Sequence, residues 1–447
     1  MDAADSSFKK SFYANLVDQP LEPDDPRYVP FYEDPQLSAD DPVESLAANI
    51  EFTPGFSARL FSGFRGSGKS TELRRLRARM RANGWIVLLV DMEDYLNLST
   101  PLDVPDMLLA VAGAFSDQIV DDGLLPEAPG KLNYWERFVT FLRTNRVEVT
   151  EISHEVGIPG ASLSVKANLK RDPTFTRLLQ ERMAGHLGKF VDDVHSYLKE
   201  SVATLREEYP EAPGVVLIVD SMEHIRGTTA NERDVQESVE RVFAGHADKL
   251  RLPSLHTVYT VPPWLKVLHS NLGAVYPPSV LVLPSLKVCS RTSDEPYTAG
   301  LDALERMVRA RGDWEHLLGD RVVLDRLSAH SGGHLRDLMR MLADVILRAA
   351  TLPADPATVD RAVSQLRSEF LPIADADARW LARIIETHEA ELGDKALLPA
   401  LARFLDTHLV LCYWNGHEWY DVHPIVRDEV RRQVAELDAR GQQEQAG

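Results

Sequence analysis

The stretch from Gly63 to Thr71, GFRGSGKST, constrains the chain more than any other. It fits G-x-x-x-x-G-K-[ST], with Gly63, Gly68, Lys69 and Ser70 at the defining positions and a further glycine at Gly66. Glycines at this spacing let successive backbone N–H groups turn inward around a polyphosphate. A helix starting near Lys69 aims the positive end of its dipole at the same anion. A Gly/Ser-rich turn ahead of a surface helix is the alternative, but the required context stands on both sides: a short strand over Ala58 to Ser62 and a helix over Glu72 to Arg81. The loop predicts nucleotide binding, with Lys69 reaching the β- and γ-phosphates, Ser70 on Mg²⁺, and Arg65, Ser67 and Thr71 completing the cradle.

At 447 residues the chain is long enough for two or three domains, and 44% apolar with 26% charged residues is ordinary for a globular protein. A formal charge of −19 argues against a general nucleic-acid-coating surface. The two cysteines, Cys289 and Cys412, are far apart and form no C-x-x-C pair, which suits a reducing compartment and offers no zinc site. Acidic residues stand near the N-terminus where a secretory signal would be positive, and the longest apolar runs are only of strand length. A cytoplasmic protein without a membrane span is expected.

Residues 1–50 are rich in Pro and Asp, which predicts an extended, solvated surface arm with at most short helices; packing of Tyr28 or Phe31 near a bound adenine is the alternative. From Ala58 onward strand and helix patterns alternate. Trp85 to Asp91 reads as a buried strand after the stop at Asn83-Gly84. Helices fit Val104 to Ile119 and Asn133 to Arg143, a β-hairpin fits Val147 to Leu169, and one long helix fits Phe175 to Glu208. Most of 92–213 therefore reads as a helical insertion.

A second signature lies at 214–224, GVVLIVDSMEH. An apolar run ending in aspartate makes a central parallel strand with its carboxylate at the C-terminal edge, so Asp220 is expected to hold Mg²⁺. Glu223 is a candidate for polarising an attacking water, though hydrolytic glutamates usually follow the aspartate directly and Ser221 holds that place. Further strands fit His256 to Val261, with Thr260 a candidate for contacting the γ-phosphate or water, and Ser279 to Leu283. Helical patterns over Leu301 to Arg309, Val322 to Ala329, His334 to Ala350 and Ala357 to Glu369 form a bundle. Within it Gly332-Gly333 places Arg336 on the first turn of a helix, where a guanidinium can grip a phosphate.

The tail repeats a different pattern. Helices over Ala376 to Glu386 and Leu397 to Leu405 precede two strand-like runs joined by Asn415-Gly416, and a last helix starts at Pro424. This helix–helix–hairpin–helix outline is that of a winged helix. Eight Lys/Arg against fourteen Asp/Glu from Leu371 to Gly447, a net of −6, is wrong for a phosphate-binding face. Arg427, Arg431 and Arg432 form the one local basic cluster. His417 and His423 lack metal-ligand spacing and read as hairpin side chains.

In combination and in this order, the loop at Gly63 to Thr71, Asp220, Thr260, the Gly-Gly-x-x-Arg start at Arg336 and the winged-helix-like tail resemble AAA+ ATPases, most closely the origin-recognition initiator and STAND branches. The run GSGKSTEL is also similar to bacterial P-loop ATPases of conflict and phage-defence systems. The resemblance implies an α/β fold: a P-loop NTPase parallel-sheet core over 51–290 carrying the insertion, a helical lid over 291–370, a winged-helix-like domain over 371–437 and a tail over 438–447. It implies ATP and Mg²⁺ at Gly66, Gly68, Lys69, Ser70 and Asp220, a sensor-1 role for Thr260 and a sensor-2 role for Arg336. One departure stands out. No arginine lies between Trp264 and Ser279, where such ATPases carry an arginine finger; Arg251 or Arg291 would have to substitute. A slow ATPase is therefore expected, acting as a switch through a separate effector or homo-oligomer, with a phage-defence setting as one context. A DNA-binding initiator or loader and a non-hydrolysing scaffold are the alternatives.

Overall fold

The computed structural model describes residues 3–38, 40–125, 163–183, 185–228, 230–269, 271–278, 280–291, 295–390 and 397–446. Its contacts group into two compact units, one of Val43–Ser62 and Glu72–Val282, the other of Met1–Pro42, Gly63–Thr71 and Leu283–Gly447.

The first unit is built on a five-stranded sheet of order β2-β3-β4-β1-β5, with β1 Ser57–Gly63, β2 Ile86–Asp91, β3 Val215–Asp220, β4 His256–Val261 and β5 Leu281–Leu283. The β2–β3, β3–β4 and β4–β1 pairs are parallel. The central strands β3 and β4 are buried throughout, which is why VVLIVD shows a continuous apolar run and no alternation. In register, Asp91 lies opposite Asp220 and Ser62 opposite Val261. The sheet thus presents Ser62, Val261, Asp91 and Asp220 at its C-terminal edge.

The helix Val104–Asp121 packs in this unit and is largely buried. Asp103 and Asp106 start it with a reciprocal capping box. Asp106 is 1% exposed and accepts from Asp103 N (2.9 Å) and Gln180 Nε2 (2.5 Å); burial outweighs these bonds and pushes its carboxyl up to about 7. Because the folded value lies above the unfolded one, Asp106 costs nothing below pH 4, and its penalty develops as pH rises to about 7. Asp106→Asn should therefore gain stability relative to wild type by a few kcal/mol across that window. Urea melts at pH 4.5 and 7.5 measure the difference, and an equal effect at both values would contradict it.

The second unit is mostly helical. Helices span Thr298–Arg309, Trp314–Leu318, Arg321–His330, Leu335–Arg348 and Pro356–Ser368, followed by Asp375–Thr387, Leu398–Asp406, the antiparallel pair β6 Val410–Trp414 and β7 Glu418–Val422, and Arg427–Ala446. The Asn-Gly signal is realised, with Gly416 at φ +77° and Trp414 paired with Glu418 across the turn. The bundle and the tail, expected as separate lid and winged-helix domains, lie in one compact unit. Tyr413 Oη donates to Gly332 O (2.7 Å), Ser285 N to Cys412 O (2.9 Å) and Arg367 Nε to Ile425 O (2.8 Å).

Several expectations change. The N-terminal segment is not an extended arm: Ala3–Asn15 is a helix whose Phe12 is 1% exposed and whose Lys9 Nζ donates to Ala349 O (2.8 Å). Pro42–Glu51 is a second helix. Proline enters only at Pro20, so its restriction never reached the first helix. The single long helix is two, Pro173–Met183 and Leu187–Glu208. Leu163–Arg171 is helical, which removes the end of the expected hairpin; the rest of that hairpin and the helix at 133–143 lie outside the described residues.

Candidate functional site

The loop after β1 has the backbone its glycines predict. Gly66 and Gly68 take φ +88° and +95°, a region that side chains at Cβ disfavour. Crowding adds a second reason at Gly66, where a Cβ would come within 2.7 Å of Arg336 Cβ. Lys69 opens the helix Lys69–Ala82, is 3% exposed, and donates from Nζ to Gly63 O (2.9 Å) and Phe64 O (2.7 Å). The ammonium thus spans the inside of the loop. Ser67 is 4% exposed and its Oγ has no hydrogen-bond partner among the described residues. A buried orphan hydroxyl, a buried lysine and a helix N-terminus fit a polyphosphate. Ser70 is half-buried on the first turn of the helix. Thr71 Oγ1 accepts from Leu21 N (3.1 Å), so the N-terminal segment runs against the loop. Phe31 and Tyr32 lie further along that segment and are buried, with Tyr32 Oη donating to Pro284 O (2.8 Å); Tyr28 is half-buried.

Arg336 stands on the first turn of Leu335–Arg348, as the Gly332-Gly333 signal predicts, and its guanidinium pairs with Asp18. His334, at the N-cap of this helix, makes a bond the sequence did not announce: Nε2 meets Arg65 O at 2.8 Å. Its Nδ1 lies 2.9 Å from Asp337 Oδ2. Asp337 is 0% exposed, and the same oxygen also receives His408 Nε2 and His423 Nε2, each at 3.2 Å. His423 Nδ1 accepts from Ile425 N (3.3 Å), which fixes its proton on Nε2.

Burial alone would raise the Asp337 carboxyl; the charge of His334 and the hydrogen bonds from all three rings reverse this and hold it well below the usual carboxylate range. Burial, then the charge of His334, lowers His408 to about 4, and burial lowers His423. Three imidazole rings thus surround a single carboxylate. The ligating atoms of His334, Asp337 and His408 converge within 4.8 Å, but a metal does not fit. A bound ion lies in the plane of each imidazole, and the rings of His334 and His408 are stacked at 4.5 Å with planes only 10° apart. His423 is accordingly not the hairpin side chain expected; it is a buried partner of Asp337. His417 does lie exposed at the turn, beside Arg291.

In the sheet unit, Asp220 is 5% exposed at the end of β3, and its Oδ1 accepts from Ser221 N (2.8 Å). Ser221 has φ +69°, a left-handed conformation uncommon for serine, and starts the turn Met222–His224. Thr260 holds that turn: its Oγ1 accepts from Met222 N (2.9 Å) and donates to Val219 O (3.4 Å). This hydroxyl, 0% exposed, is thus engaged on both its donor and acceptor sides. Glu223 is 6% exposed, with Oε1 3.6 Å from His224 Nε2, and His224 Nδ1 reaches Glu93 Oε1 at 2.5 Å. Asp220, Thr260 and Glu223 therefore gather where β3 and β4 end.

The loop backbone with its buried lysine and the parallel sheet define the class of fold as a P-loop-type α/β protein. No protein-family profile matches the chain, and no curated protein matches its sequence. Among solved structures it is similar to Cdc6p of Pyrobaculum aerophilum, at 12% identity and TM-score 0.40, covering 95% of this chain and 98% of that one. A Walker-type ATPase of Pyrococcus abyssi matches at 11% identity and TM-score 0.41, covering 88% and 96%. The ORC2 protein of Aeropyrum pernix, in its ADPNP–ADP complexes, matches at 13% identity and TM-score 0.39, covering 91% and 94%. Among the described residues no helix is long and apolar enough to cross a membrane.

Proposed function

We propose that this chain is an ATP-dependent switch of AAA+/STAND type that turns ATP over slowly and transmits its nucleotide state through the C-terminal tail. One observation carries the reading. The helix start at His334–Asp337 touches the phosphate loop through His334 and holds His408 and His423 of the tail through Asp337. ATP and Mg²⁺ are assigned to Gly63, Arg65, Gly66, Ser67, Gly68, Lys69, Ser70 and Thr71, with Ser70 and Asp220 as the metal ligands. Glu223 is the candidate base and Arg336 the γ-phosphate sensor; Thr260 positions the turn that carries Glu223. Output passes to a separate effector or a second copy, and a bacterial phage-defence setting is one that the loop's resemblance supports.

A DNA-binding initiator is the second reading, and the tail counts against it. Arg427 pairs with the buried Asp421, Arg432 with Glu429 and Glu436, and Arg431 lies 3.9 Å from Asp428. A neutralised cluster is a poor phosphate track.

Arg336 tests the switch. Its present partner is Asp18, whose side chain is half exposed. An ion pair of this exposure contributes about 1 kcal/mol or less, so Asp18→Asn should raise ATP affinity by up to about fivefold by releasing the guanidinium. Arg336→Ala should lower ATP affinity about tenfold and affect ADP less. Titrations of fluorescent ATP and ADP analogues measure both, and unchanged ATP affinity in Arg336→Ala would remove it from the site. Glu223→Gln should keep ATP binding and lose turnover.

A further inference from the structure

The sheet unit carries a second arginine site that the nucleotide reading does not use. A cavity of about 610 Å³ opens beside the N-terminal ends of β1 and β4, the sheet edge opposite Asp220 and Thr260. Asn49, Thr53, Phe56, Arg59, Arg251 and the Pro277-Pro278 pair form its walls. Arg59 is 7% exposed. Its Nη2 donates to Thr53 Oγ1 (2.8 Å) and Asn49 O (3.4 Å), and its Nη1 to Ala58 O (3.3 Å), while Nε, also buried, has no partner. Arg251 is exposed at the mouth and donates to Val275 O. Neither guanidinium meets a carboxylate among the described residues.

This is an unusual way to bury a cation. A guanidinium removed from water is ordinarily compensated by an anion, and leaving one uncompensated is costly. Here the second charge at the cavity is also positive. Burial, then the charge of Arg251, lowers the affinity of Arg59 for its proton, and the same arginine adds to burial in holding His256 down to about 4. The two arginines leave net positive charge at the cavity that a bound anion would offset. Carbonyl and hydroxyl oxygens already engage the ends of the Arg59 fork, so the remaining N–H groups of the exposed Arg251 are the accessible donors, and Arg59 supplies positive charge in the wall. Planar forks of this kind suit tetrahedral oxyanions.

We infer that the Arg59–Arg251 cavity is a binding site for a small phosphate-bearing ligand, separate from the phosphate loop. Its size admits a phosphate with a compact organic body. Phe56 and the two prolines supply apolar wall for that body. A polymeric phosphate fits less well, because Arg59 lies inside the cavity and the chain carries a net charge of −19.

The test uses the full chain carrying Lys69→Ala, so that the phosphate loop does not compete and a failure of the nucleotide reading leaves this result interpretable. Thermal unfolding is followed at constant ionic strength, set with sodium chloride, while inorganic phosphate or a sugar monophosphate is titrated. A saturable rise in Tm is expected from one or both. Adding Arg251→Gln should weaken the apparent affinity about tenfold to a hundredfold, read as the shift of the saturation midpoint relative to that variant's own ligand-free Tm. Arg59→Lys, which keeps the charge and removes the fork, should weaken it as well. A response no larger than chloride gives would overturn the proposal. So would a saturable response that neither arginine substitution alters.

Discussion

Lys69→Ala should lower ATP affinity by about tenfold to a hundredfold, the range for losing charge-assisted hydrogen bonds to a buried anion. The ammonium now bridges Gly63 O and Phe64 O from inside the loop and is 3% exposed. It is therefore already where a phosphate needs it, and bound nucleotide would replace two carbonyls with phosphate oxygens at little cost in side-chain entropy. Alanine removes the charge and leaves those carbonyls to water. Titration calorimetry with ATP and Mg²⁺ reads the loss, and a circular-dichroism melt separates it from misfolding. Wild-type affinity in the variant would mean that the loop does not bind the triphosphate.

Asp337→Ala should be strongly destabilising to the helical unit, by about 3 kcal/mol, because it removes a fully buried acceptor around which three imidazole rings are packed. Three rings lose their shared acceptor at once. Asp337→Asn keeps an oxygen acceptor for His408 and His423 but removes the negative charge, and should fall between. The pH dependence identifies the cause. Asp337 is held below its unfolded value, so its contribution is complete above about pH 4 and is lost as pH falls further. His408 is neutral in the fold down to about 4, so the unfolded chain takes up its proton first, and stability also declines between pH 6.5 and 4. Guanidinium melts from pH 7 to 3 should show wild type declining more steeply than Asp337→Asn at the acid end. Parallel curves would show that the carboxylate charge contributes nothing there.

What the sequence made legible was what depends on neighbours along the chain. The loop glycines, the continuous apolar run ending at Asp220 and the Asn415-Gly416 turn each encode their local conformation in adjacent residues, and each formed where expected. Arg336 was found the same way, from the two glycines before it. His408 and His423 were not, because their significance lies in Asp337, a residue 71 and 86 positions earlier in the chain. Asp337 itself looked like an ordinary acid in the first turn of a helix. The N-terminal helix is hidden for a different reason: it precedes Pro20, and the proline-rich stretch after it masks its pattern. The Arg59–Arg251 cavity joins residues 192 positions apart, each unremarkable in its own stretch.

The contact at Gly332 and Gly333 bears on how far a change at the loop can travel. A Cβ at Gly332 would come within 2.6 Å of Leu411 and 2.7 Å of Pro424, and one at Gly333 within 1.8 Å of Leu286 O. At Gly332 the backbone lies directly against the side chains of Leu411 and Tyr413 and the ring of Pro424, and at Gly333 against the backbone of Leu286. Such a junction has no slack. A displacement of the helix start therefore presses first on Leu411, Tyr413 and Pro424, and these side chains are the route by which the tail would feel it.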